Sequence, residues 1–107
     1  METNQYMEMF LDESREHLQS LNDGLLSLEN DPEDLSDLNE IFRNAHTLKG
    51  MSATMGYTKT AELTHDMENL LDMLRKEQLK VSEEIIDVIF KCVDALQEMV
   101  DNIANGD

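Results

Sequence analysis

Four stretches of this chain repeat apolar residues at steps of three and four, and only one proline and four glycines punctuate its 107 residues. That spacing is the period of amphipathic helices, and so few turn-formers argue against an all-β chain. The first stripe, Phe10, Leu11, Leu18, Leu21, Leu25 and Leu28, predicts a helix over about residues 5–29. Gly24 falls inside it and costs about 1 kcal/mol relative to alanine without breaking it. Asn30-Asp31-Pro32 ends it, because proline cannot continue a helix and pushes the preceding residue to extended geometry. A second helix, about 35–55, is expected to be capped by Asp34 or Ser36 and to stop at Gly56. Its seam is Leu38, Ile41, Phe42, Ala45, Leu48, Ser52 and Met55. A third, about 59–76, follows a Thr58 cap, with Leu63, Met67, Leu70, Leu71 and Leu74 inward and Arg75 and Lys76 favourably closing the last turn. Ser82 with Glu83 and Glu84 opens a fourth, about 83–104, through Ile85, Ile89, Cys92, Val93, Leu96, Val100 and Ile103. Short connections make successive helices antiparallel. The expected fold is an all-α, antiparallel up-down four-helix bundle, a single domain over 1–107.

Composition narrows the partners. A net charge of -16 repels phosphate backbones and anionic lipid, so neither nucleic acid nor a membrane surface is expected as a partner. No apolar run approaches the roughly 20 residues that span a bilayer, so no direct membrane insertion is expected. The start Met1-Glu2-Thr3-Asn4 lacks the features of a signal peptide, and a cytoplasmic location follows as the expectation. The single cysteine, Cys92, lies on an apolar stripe with no cluster of cations or histidines near it in sequence, and reads as a small buried hydrophobe.

One window departs from the acidic background. Among 24 Asp and Glu residues none falls between Ile41 and Ala61, while Arg43, Lys49 and Lys59 all do. A neutral-to-basic window carrying His46 is where an anion would be handled. At 100° per residue His46 sits about 110° from its helix's core centre, on the flank, with Lys49, Gly50 and Ala53 on its stripe. A mid-helix Gly50 costs about 1 kcal/mol against alanine, which suggests clearance for a bulky partner beside His46. Glu68 falls on a flank of the third helix. A Glu68 carboxylate accepting from His46 Nδ1–H would fix the tautomer and leave Nε2 as a nucleophile facing water. Lys49 would then neutralise the oxygens of an incoming phosphoryl group.

Spacing alone leaves other readings open. A flank histidine is usually an ordinary helix residue; His65 lies almost opposite its core centre, and His17 is given no role. Glu62-x-x-His65 is the spacing of carboxylate-bridged di-metal bundles, which need a second such pair and two further inward glutamates. The long apolar seams also suit a passive dimerising or adaptor bundle.

The motifs themselves narrow this. Ala45-His46-Thr47-Leu48-Lys49-Gly50 closely resembles the phosphorylation motif of histidine-containing phosphotransfer (HPt) domains. The longer Ile41-Phe42-Arg43-Asn44 lead-in and Met55-Gly56-Tyr57 are most similar to the N-terminal domain of the CheA family of chemotaxis histidine kinases, as are Phe10-Leu11-Asp12-Glu13-Ser14, Asn30-Asp31-Pro32-Glu33-Asp34 and His65-Asp66-Met67-Glu68. The resemblance implies that His46 accepts the ATP γ-phosphoryl group, at Nε2, from the kinase ATP-binding domain of a parent protein. It implies transfer onward to an aspartate on a response regulator of the CheY or CheB type. It places Lys49, His65 and Glu68 in a network supporting His46. No Gly-rich nucleotide loop or kinase motif is present, so no cofactor is expected on this domain. ATP and magnesium would belong to the partner kinase domain, and the chain would be the N-terminal fragment of a larger kinase.

Overall fold

The computed structural model describes residues 2–106, with side chains described from Gln5; Met1 and Asp107, the ends of the expected domain, lie outside the described residues. Four helices run in order: α1 (Glu2–Asn30), α2 (Leu38–Thr54), α3 (Thr58–Arg75) and α4 (Glu83–Ala104). Each packs on two neighbours in the ring order α1, α2, α3, α4, back to α1, which is the up-down bundle. The long axis measures 47 Å, about the length of a 29-residue α1 at a rise of 1.5 Å per residue.

The core is a column of leucine, isoleucine and valine. Leu18, Leu21, Leu25, Leu48, Leu71, Leu74, Ile89, Val93 and Leu96 are all essentially fully buried, each worth about 1.5–3 kcal/mol for a side chain that size. At one end Phe10 packs on Tyr57 with ring centroids 5.0 Å apart, pinning α1 to the α2–α3 turn. Cys92 is half-buried, and burial, aided by the Asp66 carboxylate, pushes its thiol up, away from the reactive thiolate.

The helix ends follow local chemistry, with corrections to the expected caps. Gly56 at φ +81 closes α2: Gly56 N–H donates to Ala53 O at 3.1 Å and Tyr57 N–H to Ser52 O at 2.9 Å. That paired return is the Schellman motif, for which glycine has the required backbone freedom. Ser82 caps α4, accepting from Ile85 N–H at 3.2 Å. Neither Asp34 nor Ser36 caps α2. Asp34 spends its carboxylate on Ser36 N–H at 3.1 Å, inside the turn, and α2 begins three residues later than expected, after Asp37. Thr58 is the first residue of α3 rather than its cap; Tyr57 holds the cap position with no side-chain bond. A second left-handed residue, Glu77 at φ 57, ends α3 with Gln78 N–H donating to Met73 O at 2.9 Å.

The expected core face of α3 also needs correction. Thr60, Thr64, Met67, Glu68, Leu71 and Leu74 are buried, while Leu63 and Leu70 are only partly so. The helix is turned by roughly 60° from the face its leucines mark, more than half of one residue's step. The physical reason is that threonine can be buried when its hydroxyl is satisfied. Thr64 Oγ1 donates to Thr60 O at 2.6 Å, and Thr60 Oγ1 reaches Met99 Sδ at 3.6 Å. This rotation carries Glu68 inward.

Two helical glycines meet opposite surroundings. A Cβ on Gly24 would lie 2.6 Å from Ile41 Cγ1, a buried atom, whereas a Cβ on Gly50 would touch nothing within 4 Å. Gly24 is therefore the site of close α1–α2 approach. Alanine gains about 1 kcal/mol of helix propensity at either position, but overpacking at Gly24 costs about 1–3 kcal/mol. Urea unfolding is expected to show Gly50→Ala more stable by about 0.5–1 kcal/mol and Gly24→Ala less stable by about 1 kcal/mol.

Candidate functional site

The Gly56 turn folds α3 back along α2, so residues in the middle of each face one another across a groove. Glu68 is 7% exposed, and a carboxylate so placed must be paired. It is paired twice. His46 Nδ1 lies 2.6 Å from Glu68 Oε2, and Lys49 Nζ donates to Glu68 Oε1 at 2.8 Å. Burial alone raises the Glu68 carboxyl, but the hydrogen bonds from Lys49 and His46 outweigh it and hold the group below its ordinary range. Glu68 is thus an anion and accepts only. It follows that His46 Nδ1 carries the proton. In the neutral ring the lone pair is then on Nε2, and the side chain is 64% exposed.

Lys49 is held first by Glu68. Its side chain is 26% exposed, and an ammonium with one N–H engaged keeps two donors for another anion. Gly50, one turn beyond His46, leaves open space on the α2 surface. His65 is exposed and makes no hydrogen bond to His46, Lys49 or Glu68; with Lys49 it lines a separate surface hollow along α3. The rotation of α3 that brings Glu68 in keeps His65 on the outer face. His17 bridges α1 to α2, its Nδ1 2.8 Å from Asn44 Oδ1. Among the described residues no three His, Cys, Asp or Glu side chains are grouped as a metal site requires, so Glu62 and His65 lack the partners of a di-metal centre.

Sequence reasoning missed two features. Phe42, counted only as a seam residue, stacks on His46 with centroids 6.3 Å apart and planes 17° apart. Arg75 lies over the Phe42 ring, its Cζ 3.9 Å from the centroid. The i, i+4 spacing of Phe42 and His46 held the signal for the first. On the other side of His46 an open cavity of about 470 Å³ is walled by Tyr6, Met9, Thr47, Gly50, Met51 and Met55. Tyr6 and Met9 are 60% and 57% exposed, large apolar side chains left uncovered off the core stripe of α1.

Known proteins resemble this chain along almost its whole length. Residues 5–106 match the family model for the Hpt domain. Chemotaxis protein CheA of Bacillus subtilis (strain 168) is 53% identical over 106 residues, covering 99% of this chain; the chain spans 16% of that protein's length. The solved CheA phosphotransferase domain from Thermotoga maritima superposes with a TM-score of 0.89 at 48% identity, covering 94% of this chain and 95% of that one. The phosphorylated P1 domain of CheA3 from R. sphaeroides, solved in complex with CheY6, has the same fold, with a TM-score of 0.89 at 22% identity over 95% of this chain and 80% of that one. The chain belongs to the Hpt domain family and, within it, to the phosphotransferase domains of CheA.

Proposed function

We propose that His46 is the phosphoryl carrier of this domain, working in the cytoplasm as part of a larger histidine kinase. The observation that supports the reading best is the 2.6 Å contact between His46 Nδ1 and the buried Glu68 carboxylate, which leaves the nucleophilic lone pair on the exposed Nε2. The kinase ATP-binding domain of the parent protein presents ATP. The Nε2 lone pair attacks the γ-phosphorus, the bond to the bridging oxygen breaks, and ADP leaves with that electron pair. The phosphorylated ring keeps its Nδ1 proton and is cationic, and Glu68 stabilises that charge as it develops. In the second step a carboxylate oxygen of a response regulator of the CheY or CheB type attacks phosphorus. The N–P bond breaks and its electrons return to Nε2. Lys49 turns its free N–H donors to the transferring oxygens, and Gly50 gives the partner room. His65, outside hydrogen-bond reach of the ring, acts at most once the phosphoryl group has arrived. The apolar cavity beside His46, with Tyr6 and Met9 uncovered at its edge, is the surface on which a regulator docks.

Incubation with a CheA kinase domain and radiolabelled ATP is expected to label the chain in an acid-labile, base-stable form. His46→Gln should abolish labelling with the helical circular dichroism intact; retained labelling overturns the assignment. Glu68→Gln should slow phosphorylation on the order of 10-fold or more, since the tautomer is no longer held. Unchanged kinetics would remove Glu68 from the mechanism.

Glu68 also sets a pH dependence. Its folded-state pKa lies below its ordinary value of 4.5, so its stabilisation is complete above that value and is lost as the pH falls through the lowered one. At pH 7 Glu68→Gln is expected to melt about 5 °C lower, the equivalent of about 1 kcal/mol in a domain this size. The gap should close as the pH falls on through that lowered value, where the folded-state carboxyl becomes protonated too. Thermal melts of both chains across that range read it out.

A further inference from the structure

Glu68 fixes one atom of the His46 ring and leaves the ring's plane unassigned, since a single hydrogen bond permits rotation about it. The plane is met by a second set of contacts. Phe42, one turn back on α2, lies nearly parallel to the imidazole, 17° between planes and 6.3 Å between centroids, within the range of offset aromatic stacking. Phe42 in turn carries Arg75 of α3 on its ring, the guanidinium carbon 3.9 Å from the centroid, well inside cation–π distance. Arg75 is itself anchored. Its Nη2 donates to Asp72 Oδ1 at 2.6 Å, while Lys76 Nζ takes Asp72 Oδ2 at 3.0 Å. Hydrogen bonds from Lys76 and then Arg75 hold the Asp72 carboxyl below its usual range, so the anchor is charged at neutral pH.

We propose that Phe42 and Arg75 are positioning residues for His46: Arg75, tied down by Asp72, clamps the Phe42 ring, and Phe42 forms the wall that sets the plane of the imidazole and so the direction of Nε2. The inference rests on the phosphoryl-carrier reading for its consequence in turnover, but not for its consequence in ring order. The arrangement ties the site to the last turn of α3 as well as to its middle. In-line transfer depends on the direction of the attacking lone pair, so a ring freed to rock about its Glu68 bond spends less time aligned. Neither residue touches the phosphoryl group; both act through the orientation of His46.

Two measurements on the 107-residue chain decide it. The first is the order parameter of the His46 imidazole from ¹³C relaxation, read without kinase or ATP. The second is the rate of phosphorylation by a CheA kinase domain at varied concentrations of this chain. Arg75→Gln removes the clamp but not the wall, at a partly exposed position that leaves the core untouched. It is expected to lower the order parameter and to reduce kcat by about 3- to 10-fold with KM unchanged. Arg75→Lys keeps a cation over the ring and should recover most of that loss. Phe42→Leu removes the wall and should reproduce the loss, and adding Arg75→Gln to it should cost nothing further, because Arg75 acts through Phe42. An unchanged order parameter in Arg75→Gln overturns the proposal, as does a rise in KM at constant kcat, which would make Arg75 a docking residue. Fully multiplicative effects in the double variant overturn it too. If His46 is not labelled even in the parent chain, the carrier reading fails, while the relaxation measurement still decides whether the clamp orders the ring.

Discussion

A carboxylate buried between two helices is the constraint on which the site depends. Taking a charge out of water costs several kcal/mol unless donors replace the water, and Glu68 has two, from Lys49 and His46. Both donors come from α2 and the acceptor from α3, so the pair of helices cannot slide without stranding the charge. The features around it serve that placement. The Gly56 turn sets the antiparallel register, and Thr60 and Thr64 let α3 roll toward the core because their hydroxyls find partners inside the bundle. The threonines cost little and keep the roll that buries position 68.

The same constraint explains the charge pattern. An acidic chain of net charge -16 is a poor host for a phosphoryl group, which arrives with negative charge of its own. Screening at physiological ionic strength confines such repulsion to about 8 Å, so the residues nearest His46 decide whether an anion is tolerated. The stretch from Ile41 to Ala61 has no acidic side chain, and the nearby carboxylate of Glu68 is faced by Lys49. Acidic residues elsewhere carry the net charge, and of them Glu13 lines the cavity beside His46. Local neutrality inside a repulsive whole is thus a property of the site, and it is written in the order of residues rather than in their totals.

The bundle was legible in the sequence because leucine at helical spacing is a strong signal, and the stops at Pro32 and Gly56 and the start at Ser82 are governed by backbone and capping chemistry that reads locally. His46, Lys49 and Gly50 were legible because they share one stripe of one helix. Glu68 was legible as a partner but not as a buried group, since a wheel built on leucines leaves Thr60 and Thr64 out of the stripe and rolls α3 the wrong way. Asp34 failed as a cap for a related reason: its side chain had a nearer N–H to satisfy, that of Ser36. Glu77 in the left-handed region carries no sequence signal at all, since the turn wants glycine and tolerates glutamate only because two backbone hydrogen bonds over-determine it. The close approach at Gly24 and the Arg75–Phe42 contact are tertiary facts. Each joins residues at least 17 positions apart, beyond any local period.

As the proposed phosphoryl carrier, His46 has to satisfy two demands that pull against each other. To take a phosphoryl group from one protein and give it to another, its Nε2 must stand clear of the surface, and its side chain is accordingly 64% exposed. An exposed side chain in water samples several rotamers, and each wrong one delays transfer. The domain resolves this by placing its restraints behind and beside the ring. The polar restraint, Glu68 backed by Lys49, grips Nδ1 from the α3 side. The apolar restraint, Phe42 under Arg75, covers a face. The flank toward Tyr6, Met9 and Met51 is left open and uncharged apart from Glu13. A partner can therefore approach along an apolar surface without competing for the hydrogen bond that holds the nucleophile. Restraint and access occupy different sides of one imidazole, which is what lets a residue this exposed remain aimed.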